Sequence, residues 1–235
     1  MNRTLINWVG LTGLLALISY VAAMIIAPMA YPGYNWMEQA VSDLSAETAP
    51  SRQLWDQVSV LYSAGSVVCA TCTAIFVSEK KVSTKLFRVG IYLFVIMNWV
   101  SRIGYGMFSL SDAGKEIDTF PEIMHMVVTA SVVMLSIAGL GCLIVAGFKN
   151  KGVRGEGIWA SVALVMMFMG PIGMSAVPPQ YFGIFERFSV LAAVGYNAIL
   201  GIYLFNGFKG KEDRDTSGVR RGYGISINLK LNKVS

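Results

Sequence analysis

At 235 residues the chain has the length of one or two soluble domains, yet its composition excludes them. Hydrophobic residues make up 54% and charged residues 14%, against about 25% charged in ordinary soluble domains. The formal charge of +5 does not point to nucleic acid, because no basic stripe carries interleaved aromatics; the basic residues sit in short segments beside apolar runs, a placement suited to anionic headgroups and topology control.

Six apolar runs follow in chain order, from about Leu5 to Pro28, Leu54 to Val77, Phe87 to Leu110, Pro121 to Phe148, Ile158 to Val177 and Ile184 to Phe208. A spanning helix needs roughly 20 such residues, and each run is apolar on most sides, as lipid contact requires. Backbone groups in lipid must be satisfied internally, so six runs imply a helical bundle. The expected fold is all-α: a polytopic membrane bundle of six transmembrane helices arranged as three antiparallel hairpins, residues 1–208, followed by a basic polar tail, residues 209–235. Arg3 and Ala27-Pro28-Met29-Ala30 loosely resemble the ends of a signal peptide, but the run between them is long for an h-region and proline sits in the cleavage site, so an uncleaved span is expected. Ile225 to Val234 alternates apolar and polar residues; a disordered or membrane-skimming tail is expected there rather than a strand.

Orientation follows from the basic residues. With the N-terminus inside, the inner segments and tail carry fifteen Lys and Arg, and the outer segments three, Arg52, Lys115 and Arg187. Cytoplasmic termini in a multi-pass protein of the cell membrane are the expectation.

A short internal repeat is visible. The fourth run ends Gly147-Phe148-Lys149 and the sixth Gly207-Phe208-Lys209, while Phe120 precedes His125, and Phe182 precedes Arg187, by five residues. In the sixth run Ser189, Ala193, Asn197 and Gly201 recur every four residues, a spacing that permits close helix approach and an interhelical hydrogen bond from Asn197. Cys69, Cys72 and Cys142 all fall inside apolar runs and are expected to be packing residues, not metal ligands or a redox pair.

Polar residues within or beside the spans are the functional candidates. Arg102 lies inside the third run, and three readings compete for it: a structural ion pair with Asp43, Asp56, Asp112, Glu122 or Glu186, an anionic ligand, or snorkelling. His125 is the only histidine, and Glu122 three residues earlier shares its helix face, with Thr129 continuing the stripe inward. The pair suits a general acid/base couple or two metal ligands, against a hydrogen-bonded histidine at a helix start; one histidine cannot build a three-histidine zinc site, though carboxylates could complete a mixed one, and no metal or cofactor is assigned from the sequence. In the first outer connection, Met29 to Gln53, Tyr31-Pro32-Gly33-Tyr34 reads as a turn with interfacial aromatics, and Trp36 to Leu44 as a short surface helix. Asp43, Ser45 and Glu47 follow. Ser45 is a candidate nucleophile with His125 as base, against a capping role for Ser42, Asp43 or Ser45.

Tyr31-Pro32-Gly33-Tyr34, Val41-Ser42-Asp43-Leu44-Ser45, Ser101-Arg102, Phe120-Pro121-x-x-x-His125 and Glu186-Arg187 form an ordered series. In that order the chain resembles the prokaryotic six-helix membrane family catalogued as domain of unknown function 998, over about residues 8 to 208. The resemblance implies fold and topology, the family having no settled activity. Val41 to Pro50 is also distantly similar to the outer loop of DRAM/Frag-type membrane proteins, whose link to lipid handling implies a lipid-facing role.

The expected function is binding of a membrane lipid or other amphipathic ligand in a polar pocket near the outer face, formed by Asp43, Arg102, Glu122, His125, Glu186 and Arg187. The alternative is an intramembrane lipid hydrolase or transferase using His125, Glu122 and Ser45. A small-molecule transporter ranks third, because the inner halves of the runs carry almost no charge. Nothing in the sequence specifies an oligomeric state or a particular ligand.

Overall fold

The computed structural model describes residues 3–111 and 119–208; the expected tail, with its 225–234 alternation, lies outside them. Six helical stretches are long and apolar enough to cross a membrane, at Leu5–Ala30, Val60–Glu79, Lys85–Met107, Phe120–Lys149, Lys151–Gly173 and Pro179–Phe205. In detail the first comprises α1 (Leu5–Val9), α2 (Leu11–Ile26) and a 3-10 turn, Ala27–Ala30; α3 (Arg52–Val58) precedes α4 (Val60–Glu79), and α5 (Lys85–Met107), α6 (Phe120–Lys149), α7 (Arg154–Ala176) and α8 (Phe182–Phe205) follow. Consecutive spanning helices pack on one another and α8 packs back on α2, so the spans close into a ring, with α4 also reaching α8 across it.

Local chemistry sets the ends. Thr84 caps α5 by accepting from the Phe87 amide, and Thr119 with Glu122 forms a capping box at the start of α6, where Pro121 sits at a position needing no N–H donor. α4 and α8 end in Schellman motifs, with Lys81 (φ 49°) and Gly207 (φ 69°) in the left-handed region. Asn7 of α1 donates to the Leu204 carbonyl at 2.7 Å and Arg3 to that of Phe205 at 3.3 Å, so the start of the chain joins the Gly207 amide in satisfying carbonyls at the end of the last helix.

The two halves of the proposed repeat do different work. Gly147 lies inside α6, where a Cβ would sit 2.5 Å from the Cα of Gly157, so it is a close-approach site between α6 and α7. Gly207 is a helix terminator. Phe148 is 58% exposed, whereas Phe208 is 7% exposed against Phe76, Phe87 and Tyr203.

The four-residue stripe on α8 likewise divides its partners. Ser189 meets α7, Asn197 donates to the Ser66 carbonyl of α4 at 3.0 Å, and Gly201 abuts Gly10 between α1 and α2. Each four-residue step advances about 40° beyond a full turn, so the stripe winds from one neighbour to the next. The Asn197 bond matches the sequence expectation; its Oδ1 is buried without a partner among the described residues.

Two hydroxyls mend breaks in neighbouring helices. Ser19 of α2 donates to the Val58 carbonyl at 2.6 Å and accepts from the Tyr62 amide at 3.3 Å, inserting itself into the ladder where α3 gives way to α4. Ser189 of α8 donates to the Met167 carbonyl at 2.8 Å, which Pro171 in α7 leaves without its helical donor.

Candidate functional site

The connection between the first two spans, outer in the orientation expected from the basic residues, begins with a type II turn. Pro32 and Gly33 (φ 79°) occupy its centre, and the Tyr34 amide donates to the Tyr31 carbonyl at 3.1 Å. The short helix expected over Trp36 to Leu44 is instead a turn followed by a 3-10 segment, Ser42–Ser45. The reason is local competition. Asn35 Oδ1 accepts from the Met37 amide and the Gln39 side chain from the Asn35 amide, which hold an Asx-type turn against a helix.

Glu186 and Arg187, at the start of α8, anchor this connection. The buried Arg187 guanidinium donates to the carbonyls of Gln39 (3.1 Å) and Gly183 (2.6 Å) and to the Tyr34 hydroxyl (2.7 Å), which itself donates to the Ala40 carbonyl at 2.8 Å. The Glu186 Oε2 accepts from the Val41 amide at 3.1 Å. Asp43, also buried, turns back to accept from the Ala40 amide at 3.2 Å; burial pushes its carboxyl above the usual range, against the Ala40 amide and the nearby Arg187 charge. Val41 and Leu44 pack inward with Tyr20, Ala23, Ala27, Trp55 and Val194. A second tie holds the other side: the amides of Glu47 and Thr48 donate to the carbonyls of Leu110 and Ser111, and Ser109 donates to the Glu47 carboxylate. The connection is thus strapped from α8 to the end of α5.

His125 stands at the junction of α5 and α6. Its Nδ1 lies 2.8 Å from the Phe108 carbonyl, and a carbonyl only accepts, so Nδ1 carries the proton and Nε2 is left as the acceptor in the neutral ring. The ring packs at 4.9 Å on Tyr105, whose hydroxyl donates to Thr129 at 3.1 Å. The Glu122 Oε2 accepts from the amide and hydroxyl of Thr119. Among the described residues no group of His, Cys, Asp or Glu is arranged to hold a metal.

Arg102 is exposed on α5, five residues before the helix ends at Met107, a depth of about 8 Å. Among the described residues no acidic side chain pairs with it; Asp112, one of the partners the sequence offers, lies outside them. Its direction follows from its neighbours. Trp99 donates to Thr71 of α4, Tyr105 faces α6 and the bundle interior, and Arg102 lies about 60° around the helix from each. It therefore looks into the seam between α4 and the interior.

A family model described as a protein of unknown function (DUF998) matches residues 14–203. The chain belongs to the DUF998 family. No curated protein and no solved structure matches it.

In this DUF998 protein, then, Asp43, Glu186 and Arg187 converge around the outer connection, His125 lies with Tyr105, Glu122 serves the start of α6, and Arg102 stands apart in the α4–α5 seam. Ser45 donates to the Ser42 carbonyl at 3.0 Å. The tyrosines between these groups escaped the sequence reading. Tyr20 packs on Tyr62 at 4.6 Å and on Trp55 at 5.5 Å. Tyrosines in apolar runs look like packing residues, and only the three-dimensional arrangement gathers them. A shallow depression lined by Ala49, Pro50, Arg52, Gln53, Asp56 and Gln57 shares none of these residues.

Proposed function

We propose that this membrane protein binds an amphiphile whose head carries an anionic group, received by Arg102 in the seam between α4 and α5 at the level of the outer leaflet. The observation that carries the reading is an exposed guanidinium inside a spanning helix with no acidic partner among the described residues, a placement that is costly unless a ligand or headgroup supplies the anion. Arg187, a second arginine at this end of the bundle, is committed to neutral oxygens of the outer connection and of its own helix, and Arg52 lies beside Asp56. Leu61, Trp99 and Ile103 are 54%, 45% and 51% exposed and offer an apolar surface on α4 and α5 for the chain of the ligand. Wild-type protein in phosphatidylcholine nanodiscs doped with phosphatidylglycerol should retain the doped lipid through native mass spectrometry, and Arg102→Ala should lose it. Arg102→Lys should retain part, keeping the charge but not the planar fork. Equal retention by wild type and Arg102→Ala overturns the reading.

A second reading, hydrolysis of a lipid ester with His125 as general base, draws on the Nδ1 bond to Phe108, which leaves Nε2 as an acceptor. It requires a water or hydroxyl at Nε2 other than the Ser45 hydroxyl in its present bond to Ser42. Release of fatty acid from the doped lipid by wild type, abolished in His125→Gln, would favour it over simple binding.

A further inference from the structure

The geometry points to a separate lipid site at the opposite end of the bundle, where a phospholipid head with two phosphodiesters lies across the α4–α5 and α6–α7 connections. It does not rest on the Arg102 reading. Between residues 80 and 88 the chain carries four Lys or Arg, and between 149 and 154 three more. A hydrogen bond brings the two groups together: Asn150 Nδ2 donates to the Ser83 hydroxyl at 3.1 Å. Each side of this bridge is itself tied down. Arg88 Nη1 donates to the Ser83 carbonyl at 3.0 Å, and Asn150 Oδ1 accepts from the Gly152 amide at 3.0 Å. Beneath the bridge Phe87 and Val153, one from each side, are buried in the same core cluster, with Val82 packed against it. The two connections therefore form one fixed platform.

The protein does not neutralise the charge on this platform. Its lysines and Arg154 are exposed, and among the described residues neither they nor Arg88 forms an ion pair. Glu79 and Glu156 are the acidic residues of the two segments, and Glu156 is only 2% exposed. Residues 209–235 carry seven Lys and Arg against three Asp and Glu, so taken whole that segment adds to the positive charge. The missing anion is then the bilayer's own phosphate, which basic sites between helix ends attract. Two phosphates fit better than one, because cations stand on both sides of the Ser83–Asn150 bridge. A head that spans the bridge finds both sides already held in place and spends little of its binding energy on ordering them. A single phosphate serves one side and leaves the other to solvent.

The test uses phosphatidylcholine nanodiscs doped with cardiolipin and phosphatidylglycerol at equal phosphate, with the full chain read by native mass spectrometry. Wild type should retain cardiolipin about tenfold over phosphatidylglycerol, one decade of affinity. Ser83→Gly removes the bridging hydroxyl, keeps every charge and suits the left-handed backbone at this position (φ 57°); it should bring the preference close to parity. Arg102→Ala should leave cardiolipin retention unchanged, which separates this site from the one in the α4–α5 seam. Equal retention of the two lipids by wild type overturns the inference, and that comparison needs no variant to fold. A full preference in Ser83→Gly assigns the lipid to diffuse charge and overturns the joined site. Loss of cardiolipin in Arg102→Ala places the lipid at Arg102 and does the same.

Discussion

Ser189 on α8 donates its hydroxyl at 2.8 Å to the carbonyl of Met167 on α7, the acceptor that Pro171 strips of its own helical donor. In a bilayer no water replaces the missing bond, so a neighbouring helix must. Ser189→Ala should cost about 1–3 kcal/mol, the price of an orphaned buried carbonyl. Pro171→Ala restores the amide, and in that background the same serine substitution should cost much less. A double-mutant cycle on thermal unfolding in bicelles measures the difference; an equal cost in both backgrounds would show that the serine acts elsewhere.

The Arg187 clasp governs the outer connection more than the bundle. Arg187→Ala removes three hydrogen bonds to Gln39, Gly183 and Tyr34 and should destabilise the strapped segment by about 1.5–3 kcal/mol, the range for bonds to a charged group. Hydrogen exchange should quicken at the amides of Ala40 and Val41, which bond to Asp43 and Glu186, while α6 and α7 keep their protection. Arg187→Lys should fall close to alanine, because one ammonium on a flexible stem cannot span three divergent acceptors. Unchanged exchange at Val41 would mean that packing of Leu44 alone holds the segment.

Asp43 gives this segment a pH dependence of defined sign. Burial raises its carboxyl above the ordinary aspartate range, so the folded state binds the proton more tightly than the unfolded state does. Folding stability therefore falls as pH rises from the unfolded pKa through the raised folded one, and the gain from protonation is complete below the unfolded value. Asp43→Asn, neutral at every pH and still able to accept from Ala40, should flatten that slope and protect the segment at neutral pH. Exchange of the Tyr34–Leu44 amides across mildly acidic pH provides the measurement; an identical slope in wild type and Asp43→Asn would assign it to another group.

Much of the candidate site was legible as residues but not as relations. Arg102, His125 and the Glu186-Arg187 pair stood out because charge is rare in apolar runs. Which of them pair was not legible: Arg187 spends its donors on the Gln39 carbonyl and Tyr34 hydroxyl of a loop well over a hundred positions earlier and on the Gly183 carbonyl of its own helix, and carbonyls leave no trace in residue type. Glu122 was placed correctly at a helix start, yet the face it shares with His125 mattered less than its reach back to Thr119. The Gly-Phe-Lys words at 147 and 207 are alike in sequence and unlike in role, since one glycine answers a neighbouring helix and the other a turn.

The sequence by itself determined that this chain is a bundle of six membrane-crossing helices and which family it resembles, because apolar length and backbone self-satisfaction are properties of each segment alone. It also marked the turn at Tyr31-Pro32-Gly33-Tyr34, which depends on residues a few positions apart. Only the tertiary structure decided that Ser19 and Ser189 mend their neighbours' backbones, that Arg187 straps the outer connection, and that Arg102 and Glu186 are left without each other. Those outcomes depend on which helix faces lie together, and helix phase winds by about 100° per residue, so residues chosen for one shared face in the sequence end against different partners in the fold.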